Sequence, residues 1–203
     1  PGMPTVTYEG QVYNTIQIFS QCWLKENLNV GVMINGTMSQ TNNNITEKYC
    51  YNNEEDSCTN YGGLYQWSEM MEYTTIEGAR GICPEGWHIP SDEDWKVLEG
   101  VVDSQYGIGD QTWNEFGDRG FDAGGNLKST SGWNYNGHGD DLFGFTLLPA
   151  GVNGNNFYNI TNIGYLWTST RYSSSEQPYH RSVTFAGSDI SRVNNYGSGN
   201  GFS

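Results

Sequence analysis

The run from Gly81 to Val102 limits what this chain can fold into more than any other stretch. Cys83-Pro84-Glu85-Gly86-Trp87-His88 reads as a turn, since Pro and Gly flank Glu85 and fix the backbone there. The chain then passes through Pro90 into Ser91, a strong N-cap, and Asp94 three residues on completes a capping box. Trp95, Leu98, Val101 and Val102 recur at helical spacing, so the helix that follows buries one stripe. This element carries no chemistry of its own. It is scaffold, and the remaining segments must pack around it.

Several of those segments read clearly. Thr5 to Tyr8, a Glu9-Gly10 turn and Val12 to Ile18 form a hairpin pattern. Residues 29 to 60 are rich in Asn and Thr and read as loop. Leu64, Trp67 and Met70/Met71 predict a first helix from about Gly63 to Glu72, and the capped helix starting near Ser91 should close by Tyr106-Gly107. Gly107 to Phe143 is dense in Gly, Asn and Asp, a long loop region of the kind that is functional or specially stabilised. Phe143 to Leu148 and Tyr165 to Thr170 read as strands, and Tyr179 to Phe185 with Ile190 to Asn195 as a final hairpin. Two helices, a loop region and a late group of strands in one small antiparallel sheet predict a single α+β domain over residues 1–203.

Charge narrows the function. Nine Lys and Arg against 23 Asp and Glu leave a net charge of −14 with no basic stripe, which argues against nucleic acid and against an anionic membrane surface. No apolar run approaches the roughly 20 residues of a membrane helix, so direct membrane insertion is not expected. The chain opens at Pro1-Gly2-Met3 without a signal peptide, which reads as the start of a mature or excised domain. Four cysteines allow three pairings. Cys50 and Cys58 bracket a short polar loop and are the first expected disulfide. Cys22 with Cys83 is the second, the alternative being two buried free thiols. Disulfides point to an oxidising compartment, hence an extracellular or cell-surface location.

The ordered motifs also carry a resemblance. Gly10-Gln11-Val12-Tyr13, Gln21-Cys22-Trp23-Leu24-Lys25-Glu26-Asn27-Leu28, Gly62-Gly63-Leu64-Tyr65-Gln66-Trp67 and the Cys83-to-His88 turn come first. Gly124-Gly125-Asn126-Leu127-Lys128, Phe143 to Gly151, Gly164 to Thr170 and Asn200-Gly201-Phe202-Ser203 follow. Together they resemble the Fibrobacter succinogenes major paralogous domain, a module of surface and secreted bacterial proteins, over nearly the whole chain. The resemblance implies a C-type-lectin-like fold. It also implies a short closing strand after Asn-Gly-Phe-Ser that pairs with the N-terminal one. Here the sequence stops at Ser203: either that strand lies beyond these residues or it is supplied differently, which puts the sheet edge in doubt, since an unpaired edge invites a neighbouring subunit.

Candidate chemistry divides three ways. For catalysis, formylglycine-generating oxidases share the implied fold, but these cysteines lie outside that group's motifs. His88, His138 and His180 stand apart from any nucleophile, so an enzyme is not expected. For a cation, Asn134, Asn136, Asp140 and Asp141 supply hard oxygens on one Gly-rich loop and suggest a structural Ca²⁺. An Asx-turn loop bonding to its own backbone is the favoured reading of the same residues. For a ligand, the late loops hold Tyr172, Ser173, Ser174, Glu176, Tyr179, Arg181, Asn194, Asn195 and Tyr196, the Tyr/Ser/Asn palette of adaptable binding loops. In similar proteins diversified by retroelements, such loops display the variable ligand-binding residues. A glycan or protein on another cell or in the matrix is the expected partner. Tyr135, Tyr158 and Trp133, with the late tyrosines, are candidates to stack on sugars. The expected role is thus a secreted or surface-displayed adhesion module, the alternative being an assembly domain of a surface appendage.

Overall fold

The computed structural model describes residues 3–175 and 177–203. Strands β1 (Thr5–Tyr8), β2 (Gln11–Ile18) and β3 (Gln21–Leu24) form an antiparallel three-stranded sheet in that order. Two short parallel strands follow, β4 (Val32–Met33) and β5 (Glu47–Lys48). Next come helices α1 (Glu55–Tyr61), α2 (Trp67–Met70) and α3 (Asp92–Val102). Strand β6 (Gly117–Arg119) and helix α4 (Ala123–Leu127) lie in the long Gly-rich region. A small hairpin, β7 (Val152–Asn153) and β8 (Phe157–Tyr158), precedes the long strands β9 (Ile163–Arg171), β10 (Pro178–Thr184) and β11 (Ile190–Val193). These three join β6 in a second sheet, ordered β6-β11-β10-β9. The architecture is α+β.

Helix α3 begins as its sequence dictates. The Ser91 hydroxyl accepts from the Asp94 amide, and the Asp94 carboxylate accepts from the Ser91 amide at 2.8 Å. Its last turn stops at Asp103 rather than Gly107. The Asp103 carboxylate is recruited by the amides of Gln105 and Tyr106 at 2.9 Å and of Phe121 at 2.7 Å, and it turns the chain away.

Three expectations fail. The first helix is cut to Trp67–Met70, because Leu64 pairs with Tyr49 and Tyr65 with Phe202 in β-bridges, and Glu72 and Tyr73 then adopt left-handed backbone. Meanwhile α1 arises inside the stretch read as loop. Phe143 to Leu148 is not a strand. The Asp141 carboxylate accepts from the Thr146 amide at 2.7 Å and its hydroxyl at 3.0 Å, folding the segment into a turn with Thr146 at φ 62°.

Two cores result. One gathers Trp95, Leu98, Trp113, Leu127, Phe145 and Val183, and the other Tyr65, Met71, Ile82, Val152, Trp167 and Phe202. Strand β9 is their common wall, giving Leu166 to the first and Tyr165 and Trp167 to the second. The Phe202 ring closes the second core against Trp167, 4.2 Å between centroids, and Tyr165, 4.8 Å.

Candidate functional site

The late strands are held by charge. Arg181 on β10 and Arg192 on β11 are register partners, a juxtaposition that repels unless something lies between them. Asp92, in the first turn of α3, accepts from Arg181 at 2.8 Å and from Arg192 at 2.7 Å. Glu99, two turns along the same helix face, accepts from Arg181 Nε and from Arg119 Nη2 of β6, both at 2.5 Å. Burial alone would raise the Asp92 carboxyl. The hydrogen bonds from Arg192 and the charges of Arg181 and Arg192 outweigh that and hold it well below the usual carboxylate range. Arg181 is therefore no ligand contact: its side chain is fully buried in the network that pins α3 to the sheet.

The other late-loop residues separate into two groups. Tyr179 is also buried, packed against Tyr172 at 5.7 Å and under the Arg192 guanidinium at 4.1 Å, which corrects its reading as a surface residue. Tyr172 is half-buried, and Phe116, 50 % exposed, lies over the pair. Tyr196 turns the other way, onto His180 and Phe202. Ser173, Ser174 and Asn195 remain exposed, and Asn194 reaches Ser175 at 3.5 Å, so the two loops do share one surface. Glu176 lies outside the described residues.

The loop weighed for a cation is organised by a lysine. Lys128 is buried, and its ammonium donates to the carbonyls of Gly137 (2.9 Å), Gly187 (2.9 Å) and Thr184 (3.2 Å) while lying 5.2 Å from the Trp133 ring centre. Asp141 spends its carboxylate on Thr146, Asn134 bonds Asn162, and Asn136 and Asp140 face solvent. Among the described residues, no three His, Cys, Asp or Glu side chains converge as they would on a metal. Tyr135 and Asn136 hold left-handed backbone, φ 52° and 57°, a conformation that Asn tolerates and that costs Tyr about 1 kcal/mol.

Cys50 and Cys58 form the expected disulfide across the entry to α1. Cys22 and Cys83 do not pair. Cys22 is exposed on β3, and Cys83 is buried beside Ile82 and Met70 in the second core. Both line one cleft of about 660 Å³ that runs between β3 and the body of the molecule. Its floor and far wall include Trp95, Phe145, Leu166, Trp167 and Ile89, and its rim carries Glu85. No local pattern announces this cleft, since its walls come from segments far apart along the chain.

Strand β3 meets the cleft with an open edge. Among the described residues it pairs with β2 alone, and the Lys25 amide donates to the Asn14 carbonyl at 3.0 Å. Antiparallel alternation then turns the Trp23 backbone groups toward β2 and those of Cys22 and Leu24 toward the cleft. The opposite wall is occupied. On the outer edge of β9 the Trp167 amide donates to the Ser203 carbonyl at 3.3 Å, and the Ser169 amide to Pro90 at 2.8 Å. Trp95 Nε1 and Ser203 Oγ, both belonging to residues of the cleft wall, are buried without a hydrogen-bond partner among the described residues.

The model of the Fibrobacter succinogenes major domain matches residues 16–200. The chain belongs to this family. Neither a curated protein nor a solved structure matches it. In this member of the family the matched span takes in β3, α3, the four-stranded sheet and most of the cleft lining, and leaves β1 and most of β2 outside.

The two thiols of this family member should differ sharply in reactivity. Burial pushes the Cys83 thiol up to about 12, so at neutral pH it holds almost no thiolate. Iodoacetamide followed by mass spectrometry should label Cys22 alone in the native protein and both after denaturation. Comparable native labelling of Cys83 would mean that the second core opens.

Proposed function

We propose that this chain is a non-catalytic binding module, working at the cell surface or outside the cell, that accepts an extended polypeptide segment along β3. The observation that carries this reading is the open β3 edge facing an apolar cleft. Main-chain pairing to such an edge supplies affinity, and pockets for alternate side chains supply selectivity. The chain's charge of −14 and Glu85 at the rim favour a partner segment in which apolar residues alternate with neutral or basic ones.

Other features agree with this. The Cys50–Cys58 disulfide suits an oxidising compartment, and no described helix is long and apolar enough to cross a membrane. A non-catalytic role is supported by the state of the reactive side chains: Cys83 is a suppressed thiol, His88 lies against Asp94, and His180 is sealed among aromatic rings. Recognition through the late loops is the second reading. Exposed Phe116 above Tyr172, beside Ser173 and Ser174, favours it.

Protection of Cys22 tests the first reading. Short peptides alternating Val or Ile with Lys or Thr should slow Cys22 alkylation about tenfold at saturation, and their N-methylated counterparts, unable to pair with an edge, should not. Unchanged labelling across the peptide set, with the protein folded, would overturn strand acceptance.

A further inference from the structure

Tyr135 is the most exposed of the described large hydrophobic side chains at 83 %, yet its turn is held in place. Its turn, Asn134–Asn136, is fixed from several sides. The Asn134 amide donates to Thr161 at 2.8 Å, the Gly137 amide to Asn134 at 2.9 Å, and the Gly137 carbonyl accepts from buried Lys128. Gly137 packs so closely on the turn after β10 that a Cβ there would stand 2.1 Å from the Phe185 carbonyl oxygen. The ring meets the first core only through Phe185, which packs against it, and left-handed backbone suits Gly or Asn better than Tyr. A rigid, solvent-facing aromatic at an unfavourable position is a displayed group rather than a packed one.

Its surroundings define what it could hold. The Phe185 ring lies 5.2 Å from it at 42°, so two aromatic faces form one angled shelf. Beside the shelf Asn134 Nδ2 donates to Asn162 Oδ1 at 2.9 Å, and the Asn162 carbonyl accepts from the Phe185 amide. That bond fixes both amides and leaves Asn134 Oδ1 as acceptor and Asn162 Nδ2 as donor, neither with a partner among the described residues. A preset acceptor and donor beside an aromatic face match the hydroxyls and the apolar C–H face of a pyranose. The shelf is far smaller than a stable protein interface, about 800 Å² per partner. The net charge of −14 disfavours a carboxylated sugar.

We propose that Tyr135, Phe185, Asn134 and Asn162 form a binding site for a neutral glycan. The proposal does not depend on the cleft beside β3. An array of neutral and sialylated glycans, followed by calorimetry with the methyl glycoside of the best neutral hit, tests it on the whole chain. Binding should be selective for neutral sugars. It should fall at least tenfold in Tyr135→Ala, persist in Tyr135→Phe, which keeps the ring, and weaken in Asn162→Ala. Near-UV circular dichroism of each variant checks the fold. A folded wild type that binds no neutral glycan, or a Tyr135→Ala variant within twofold of wild type, would overturn it. Peptide protection of Cys22 should be the same in wild type and Tyr135→Ala, so the two sites fail or succeed separately.

Discussion

Glu99→Gln is expected to lower the unfolding free energy by about 3–5 kcal/mol, the cost of breaking a buried ion pair from one side. The substitution keeps the volume but leaves Arg119 and Arg181, which have almost no solvent access, sharing a neutral amide. Water cannot reach either guanidinium to compensate. Glu93→Gln is the control. That carboxylate is mostly exposed and pairs with Lys96 at 2.7 Å, so its loss should cost less than about 1 kcal/mol. Urea unfolding of both variants separates the two cases. A Glu99→Gln protein within about 1 kcal/mol of wild type would show that the arginines find other partners and that α3 is held by apolar packing alone.

The second large effect is expected in the acid limb of stability. His180 lies among Phe202 (5.1 Å between ring centres), Tyr196 (5.4 Å) and Trp167 (5.8 Å), with neither ring nitrogen bonded among the described residues. Burial, reinforced by the charge of Arg181, pushes its pKa down to about 3 from 6.5. The folded value lies below the unfolded one, so the neutral form is favoured by folding. Stability is therefore intact above pH 6.5 and is lost as pH falls toward 3, because only the unfolded chain takes up the proton. Between about pH 7.5 and about pH 4.5 this amounts to about 2.5 kcal/mol. His180→Phe should remove that slope and, by eliminating two unpaired polar atoms, match or exceed wild-type stability at neutral pH. Glu69 and Asp189, whose pKa values burial raises, titrate in both proteins, so the difference between the two curves isolates His180. Parallel curves would mean that the imidazole is solvated in the native state.

What the sequence disclosed and what it concealed follow from range. The Ser91–Asp94 capping box, the hairpins and Cys50–Cys58 depend on neighbours a few residues apart, and all are present. The late tyrosines had the composition of a binding surface, but composition does not say which face a side chain takes. Strand alternation sends Tyr179 and Arg181 inward beside α3. Arg181 meets Asp92 across 89 residues, and no spacing rule reaches that far. The cleft is equally hidden, because β3 and the turn before α3 meet only through the fold. Tyr135 was legible as an aromatic on a polar loop. Its exposure, and the amide pair beside it, were not.

Lys128 has a consequence of a different kind. Where loops of this type converge, a bound ion from the medium is one way to draw their carbonyl oxygens together; here a primary amine of the chain itself draws in Gly137, Thr184 and Gly187. That fastening is inherited with the covalent structure, and neither chelators nor the ionic make-up of the surroundings can remove it. Its weakness lies in amine chemistry instead. Acylation of that nitrogen, in any opened form that exposes it, would strip the charge and leave three carbonyls without their common donor, so the shelf that carries Tyr135 could not reassemble.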